Sequence, residues 1–198
     1  CDGVDPERFP ILEGPQAAKT GTTPGRLPET LAKIRAGKPV TIVCWGDSVT
    51  VGGDASDFDR TRYVKVFEKR IRERFPEADI TVTTVAVGGS HSRQWLYPDR
   101  FPPRNHWQEQ CSWDRVAEAE PDLVTLEFVN DASLQTPEQF DPVYEDILSR
   151  VRALGAELLL ITPHFTRPAM MGFDGLRGKE SRGYVLNLRR FAEENDLA

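Results

Sequence analysis

Four short polar segments of this sequence carry residue types that catalyse nucleophilic reactions. Residues 46–50 read GDSVT and residues 88–92 read GGSHS, so both combine glycine with serine. Residues 130–131 read ND, and residues 163–164 read PH. A serine hydroxyl can attack a carbonyl carbon, and an asparagine amide donates hydrogen bonds without titrating. If the fold brings the four segments together, they could line a catalytic pocket.

Each polar segment directly follows a short apolar run that is typical of a buried strand. The predicted strands span residues 40–45, 80–87, 123–129 and 157–162. The predicted helices span residues 28–36, 60–75, 107–119 and 179–195, with one more that begins at the capping box of residues 136–139 and ends before Gly155. This alternation predicts a three-layer α/β/α domain with a parallel sheet. In such sheets ligands bind at the carboxyl ends of the strands, where the four polar segments lie.

Length and composition are those of one ordinary globular domain. The chain has 198 residues, of which 39% are hydrophobic and 28% charged, and its net charge is −6. This predicts a soluble protein with no electrostatic reason to bind nucleic acid, and no apolar run approaches the ~20 residues that span a bilayer. We expect residues 1–26 to be an irregular lead-in or the end of a preceding segment, and residues 27–198 to form the domain. The chain begins at Cys1 without a recognisable signal peptide, and the sequence indicates no compartment.

Several common site types have no matching pattern in this sequence. The three cysteines, Cys1, Cys44 and Cys111, lie far apart and form no CxxC pair, so we expect neither a disulfide framework nor a structural zinc site. There is no GxxxxGK(S/T) loop for a nucleotide phosphate and no GxGxxG after a strand. The GxSxG turn of α/β-hydrolases is also absent. We therefore expect no metal and no organic cofactor, and the serine of residues 46–50 needs another explanation.

The polar segments resemble the sequence blocks of the SGNH or GDSL hydrolase family. Residues 46–50 resemble its first block, GDSxT, and Gly89 resembles the glycine of its second block. Residues 130–131 resemble the end of its third block, GxND. The resemblance covers residues 40–195, with each block at the end of a predicted strand. It implies a flavodoxin-like SGNH hydrolase fold and the hydrolysis of an ester, with an acyl group on a carbohydrate or another small alcohol as the expected substrate.

The resemblance also implies roles for particular residues. Ser48 would be the nucleophile that forms an acyl-enzyme. The backbone N–H groups of Ser48 and Gly89 and the side-chain amide of Asn130 would form the oxyanion hole. Asp47, His91 and His164 are candidate substrate contacts. The alternative for Ser48 is a turn serine that caps the next helix, and for Asp47 it is a structural acid that binds loop amides.

The sequence departs from the family pattern at two places. Phe128 occupies the position of the third-block glycine. The family's general base lies in a C-terminal DxxH block, but none of His91, His106 and His164 has an Asp three residues before it. We therefore expect the chain to lack the last strand and helix of the fold together with the catalytic His and Asp, and this 198-residue form to be nearly inactive. His164 as a replacement base is the minor alternative.

Three further alternatives follow from these patterns. The chain could be a non-catalytic glycan-binding module that keeps the scaffold without the base, or an acyltransferase on the same scaffold. Aromatic residues cluster after the second strand and could either stack on a sugar ring or pack that connection onto the sheet; they are Trp95, Tyr97, Trp107 and Trp113. Asp131 is expected to bind loop amides, and His106 to lie on the surface.

Overall fold

The computed structural model describes residues 26–163 and 183–198. Within them, four strands form one parallel sheet in the order β2-β1-β3-β4. The strands are β1 (Val40–Gly46), β2 (Ile80–Ala86), β3 (Leu123–Glu127) and β4 (Glu157–Leu160). The prediction of an α/β fold with a parallel sheet is therefore confirmed. Residues 1–25 of the predicted lead-in and His164 lie outside the described residues.

Every connection between consecutive strands contains at least one helix, as parallel pairing requires, and one further helix precedes β1 and another follows β4. The helices are α1 (Pro28–Arg35), α2 (Ser48–Val51), α3 (Tyr63–Arg74), α4 (Ser92–Leu96), α5 (Trp113–Ala117), α6 (Pro137–Ala153) and α7 (Gly183–Glu194). Two 3-10 helices span Gln108–Gln110 and Val129–Ser133. Among these described residues, no helix is both long and apolar enough to cross a bilayer.

Two apolar clusters cover the two faces of the sheet and make the domain three-layered. On one face Val40 and Ile42 of β1 pack with Ile34 of α1 and with the apolar side of α3. On the other face Val43 and Trp45 pack with residues of α4, α6 and α7. Successive side chains of a strand point to opposite faces, so one strand serves both clusters. Because β1 is covered on both sides, its side chains are almost wholly buried.

Trp45 is the centre of the larger cluster. Its ring meets Trp95, Trp113 and Phe128 edge-on, with ring centroids 5.9, 5.4 and 5.3 Å apart. Phe128, at the position that resembles the third-block glycine, is fully buried in this contact. Edge-to-face aromatic pairs add stability beyond the area that they bury. The departure at position 128 is therefore matched by a large apolar partner on β1.

One predicted helix is wrong. Residues 107–119 do not form a single helix: a 3-10 turn over Gln108–Gln110 and the short α5 replace it. Between them Cys111 adopts an extended backbone, and the Ser112 side chain accepts a hydrogen bond from Asp114 N at 3.2 Å. Serine at a helix N-terminus satisfies amides that would otherwise lack partners, so Ser112 starts a new helix. The prediction also missed α2 and α4, the short helices that directly follow β1 and β2.

Candidate active site

The strand register brings three of the polar segments to one edge of the sheet. Gly46, the last residue of β1, lies beside Ala86 of β2 on one side and Glu127 of β3 on the other. The residues that follow these three positions therefore leave the sheet side by side. This places residues 47–50, 87–92 and 128–131 at the carboxyl edge, where parallel sheets bind ligands.

Ser48 is the accessible side chain of the turn after β1. It is exposed, whereas Asp47 and Thr50 beside it are fully buried. Asp47 Oδ1 accepts a hydrogen bond from Val49 N at 3.0 Å and so caps α2, the helix that Ser48 begins. A Cβ at Gly46 would overlap Thr50 Oγ1 and the carbonyl oxygen of Glu127. Glycine thus lets the turn fold tightly against β3.

A buried network joins this turn to the other two segments. Asp47 Oδ2 accepts hydrogen bonds from both the backbone N and the side-chain Nδ2 of Asn130, each at 3.0 Å. Asn130 Nδ2 also donates to the carbonyl oxygen of Ser90 at 2.9 Å. An amide nitrogen carries two protons, so both are engaged in this structure. Donation from Asn130 to a substrate oxygen would require one of these bonds to be shared or released.

Gly89 lies in the segment after β2 with a left-handed backbone, φ +73°. Glycine adopts this conformation at little cost, whereas other residues are strained in it. The carbonyl oxygen of Gly89 accepts a hydrogen bond from Gln108 Nε2 at 2.5 Å. The next residue is fixed as well, since Ser90 Oγ donates to Val87 O at 2.8 Å and accepts from Trp95 Nε1 at 3.0 Å.

Three buried carboxyl groups lie at this edge, and burial raises the pKa of each. For Asp47, burial is the main cause and outweighs the hydrogen bonds from Asn130 and Val49, which lower the pKa. It raises the pKa of Asp131 to about 6, although Ser92 N and Tyr144 Oη donate to that carboxyl at 3.0 and 3.1 Å. Burial together with the charge of Asp47 raises the pKa of Glu127 to about 8. Glu127 is therefore largely protonated at neutral pH.

No histidine of the described residues is hydrogen-bonded to the Ser48 hydroxyl. His91 is 8% exposed, and burial, with the charges of Arg93 and Arg104, lowers its pKa to about 4, so it is neutral at neutral pH. Its ring meets Phe101 edge-on, with centroids 5.6 Å apart. His106 lies on the surface. Within residues 26–163 and 183–198, Ser48 Oγ thus forms no hydrogen bond with a histidine.

The aromatic cluster after β2 divides into packed and exposed members. Trp95 and Trp113 pack against Trp45, and Tyr97 Oη donates to Asp146 at 2.7 Å. Trp107 differs, because 60% of it is exposed. Three of the four aromatic residues therefore pack the connection onto the domain, whereas Trp107 presents an aromatic face to solvent. Its ring lies next to that of His106, with ring centroids 4.3 Å apart.

Comparison with known sequences identifies the family of this chain. The sequence model of the GDSL-like lipase/acylhydrolase family matches residues 44–198, a range that contains all three segments described above. The chain belongs to the GDSL-like lipase/acylhydrolase family. Among curated proteins, no sequence match was found.

Solved structures of GDSL-like and related esterases share the fold. A two-domain esterase active on acetylated mannans has a TM-score of 0.61 and 23% identity over 87% of this chain, which spans 39% of the esterase's length. TesA has a TM-score of 0.57 and 21% identity over 80% of this chain and 76% of its own. A variant of an acetyl-xylooligosaccharide esterase from Geobacillus stearothermophilus has a TM-score of 0.57 and 19% identity, over 81% and 75%.

Sequence reasoning missed three buried residues of this GDSL-like site. Glu127 had a signal, because it is the one charged residue in the apolar run of residues 123–129. Gln94 and Gln108 had none: glutamine is common in helices, and their partners are distant in sequence. Within the described residues, no group of three His, Cys, Asp or Glu side chains is arranged to hold a metal ion.

Proposed function

We propose that this chain is the core of a serine ester hydrolase in which Ser48 forms an acyl-enzyme. The observation that carries the proposal is the network of Asp47, Asn130 and Ser90, which gathers three strand ends around the exposed Ser48. Ser48 Oγ attacks the ester carbonyl carbon, its proton passes to a base, and the alcohol leaves with a proton. Water then attacks the acyl-enzyme, releases the acid and restores Ser48.

Two backbone amides support an oxyanion hole at this edge. Within the described residues, neither the Ser48 N–H nor the Gly89 N–H donates a hydrogen bond to another protein group. Both follow strands whose last residues are neighbours in the sheet. Donors that are already oriented where charge develops stabilise the transition state without reorganising. With the amide of Asn130, they are the donor set that we propose for the tetrahedral intermediate.

The general base is proposed to lie outside the described residues. His164 is one candidate, and the histidine of the Asp-x-x-His block that the family resemblance implies is the other. The main support is that neither described histidine is hydrogen-bonded to Ser48 Oγ. A neutral imidazole hydrogen-bonded to the serine is the usual way to remove its proton. Alanine substitution of His164 distinguishes them, because loss of turnover would assign the base to His164 and retained turnover to the other histidine.

The proposed substrate is an acylated carbohydrate. Trp107 supports this choice, because its largely exposed indole precedes Gln108, whose side chain bonds Gly89. Flat apolar rings of this kind stack on sugar rings while remaining in contact with water. Two structural neighbours are esterases of acetylated mannans and acetylated xylooligosaccharides. His91 and Asp47 are buried and are proposed to act on the substrate only through the groups that they support.

The test compares Ser48→Ala with Ser149→Ala in the full-length protein. Ser149 is an exposed serine of α6 and serves as the matched control. We expect Ser48→Ala to abolish hydrolysis of p-nitrophenyl acetate and labelling by a fluorophosphonate, with the fold unchanged by circular dichroism. Ser149→Ala should retain both. Turnover within tenfold of the parent in Ser48→Ala would remove Ser48 from the mechanism.

A non-catalytic glycan-binding module is the second candidate. The absence of a hydrogen bond between a histidine and Ser48 Oγ within the described residues favours it. This candidate predicts that the full-length protein binds acetylated oligosaccharides in calorimetry but neither hydrolyses them nor reacts with the fluorophosphonate. Labelling of Ser48 in the intact protein would exclude it.

A further inference from the structure

Two buried glutamines lie in the connection between β2 and α5. Gln94 is in α4 and is 2% exposed, and Gln108 begins the 3-10 turn and is 3% exposed. A buried amide that lacks hydrogen-bond partners destabilises a protein, so such residues are usually bonded on both of their polar atoms. Both glutamines are bonded on both polar atoms, and one of these bonds joins the two side chains.

Gln108 is bonded at both ends of its amide. Its Nε2 donates to the carbonyl oxygen of Gly89 at 2.5 Å. Its Oε1 accepts from Gln94 Nε2 at 3.1 Å and from the backbone N of Arg104 at 2.6 Å. The two acceptor bonds fix which way the amide faces, so that the nitrogen points to Gly89. Gln94 and Gln108 are thus joined by hydrogen bonds to the glycine segment after β2.

Gln94 holds the other side of the same segment. Its Oε1 accepts from the backbone N of His91 at 3.2 Å, and its Nε2 donates to Pro102 O at 3.3 Å as well as to Gln108. The backbone of residues 89–91 is therefore bonded by Gln108 at one end and by Gln94 at the other. We call this pair with its bonds the glutamine relay.

The hydrogen bonds of the glutamine relay restrict the backbone of Gly89. Its φ is +73°, and glycine adopts many other backbone conformations at similar cost, so the local sequence does little to hold Gly89 in this one. The bond to its carbonyl oxygen limits rotation about ψ. The bonds of Ser90 and His91 limit the residues that follow. These bonds hold the peptide unit that follows Gly89, so the Gly89 N–H can turn only by rotation about φ of Gly89 or ψ of Gly88.

We propose that Gln108, oriented by Gln94, is a positioning residue that aims the Gly89 N–H at the acyl oxygen of the substrate. This inference rests on the proposed function and adds to it a residue that acts through the glycine backbone. It touches no reacting atom. Displacing a catalytic group by about 1 Å can reduce a rate by ~10²-fold, so the relay should affect turnover more than binding.

The test uses isosteric variants that cannot form these hydrogen bonds. Gln108→Met should lower kcat for p-nitrophenyl acetate by ~10–100-fold with KM within about twofold, because the lost alignment matters in the transition state. Gln110→Met, at an exposed glutamine of the same turn, is the matched control and should keep kcat. The double variant Gln94→Met/Gln108→Met should lose little more than Gln108→Met, as expected of residues that act in series.

Two results would overturn the inference while leaving the proposed function intact. One is an unchanged kcat in Gln108→Met together with loss of turnover in Ser48→Ala; the other is a rise in KM alone. Turnover retained in Ser48→Ala would instead overturn the proposed function.

Hydrogen exchange measures the ordering of this backbone without any assay of activity. The amides of Ser90 and His91 should exchange ~10-fold faster in Gln108→Met than in Gln110→Met. Equal exchange would show that the relay orders nothing.

Discussion

Glu127→Gln should remove a pH dependence of stability that this buried acid imposes. Glu127 ends β3 and is 2% exposed, and the nearby Thr50 side chain offsets only part of the effect of burying its carboxyl group. Burial, with smaller contributions from the charges of Asp47 and Asp131, raises its pKa from 4.5 to about 8. The folded protein therefore keeps a proton on Glu127 at pH values where the unfolded chain has released it.

The sign and size of the effect follow from this difference. Because the folded state binds the extra proton, stability is fully present below pH 4.5 and is lost as pH rises toward about 8. One such proton changes the free energy of unfolding by about 1.4 kcal/mol per pH unit. The pKa of Asp131, about 6, and that of His91, about 4, confine their effects to lower pH. Between pH 6.5 and 8, the ionisation of Glu127 should thus cost about 2 kcal/mol.

Urea unfolding at pH 6.5, 7.25 and 8 measures this loss in the parent and in Glu127→Gln. Glutamine has the same shape and cannot ionise, so any packing cost shifts its curve equally at every pH. The parent should lose about 2 kcal/mol across this range and the variant much less. Glu145→Gln, at an exposed position of α6, should keep the slope of the parent. Equal slopes in the parent and Glu127→Gln would refute the reasoning.

Two further predictions concern the site itself. Asn130→Ala should lower kcat for p-nitrophenyl acetate by ~10²–10³-fold with little change in KM, since its amide is the proposed oxyanion donor; a rise in KM alone would make it a ground-state contact. Trp107→Ala should lower kcat/KM for an acetylated oligosaccharide by ~10-fold, from loss of ring stacking, and leave p-nitrophenyl acetate hydrolysis within about twofold. Equal losses on both substrates would argue against a sugar platform at Trp107.

The strands were predictable because their signal is local. The apolar run of residues 40–45 became β1 (Val40–Gly46), and the other three strands begin where their runs begin. The capping box at residues 136–139 also starts α6 as predicted, with Thr136 N bonded to Gln139 Oε1 at 3.2 Å. In each case neighbours in sequence supply the apolar period or the capping group, so no distant contact is needed.

The break within residues 107–119 could not be predicted by the same means. Gln108 is held by Gly89 and Gln94, and Cys111 is buried among core residues that come from other elements. These contacts favour a 3-10 turn followed by extended backbone, while Ser112 caps a separate α5. Tertiary contacts of this kind override a local helix pattern, because each buried bond contributes more than the helix propensity of one residue.

The sequence by itself determined which residues face this edge of the sheet: the GDSVT turn, the glycine segment and Asn130 each follow an apolar run that forms a strand. Only the tertiary structure decided how they are joined. Asp47 and Asn130 are 83 residues apart, Asn130 and Ser90 are 40 apart, and Gln108 and Gly89 are 19 apart. A hydrogen bond requires its two heavy atoms within about 3 Å, and strand register with loop packing sets that separation, not any local pattern of residues.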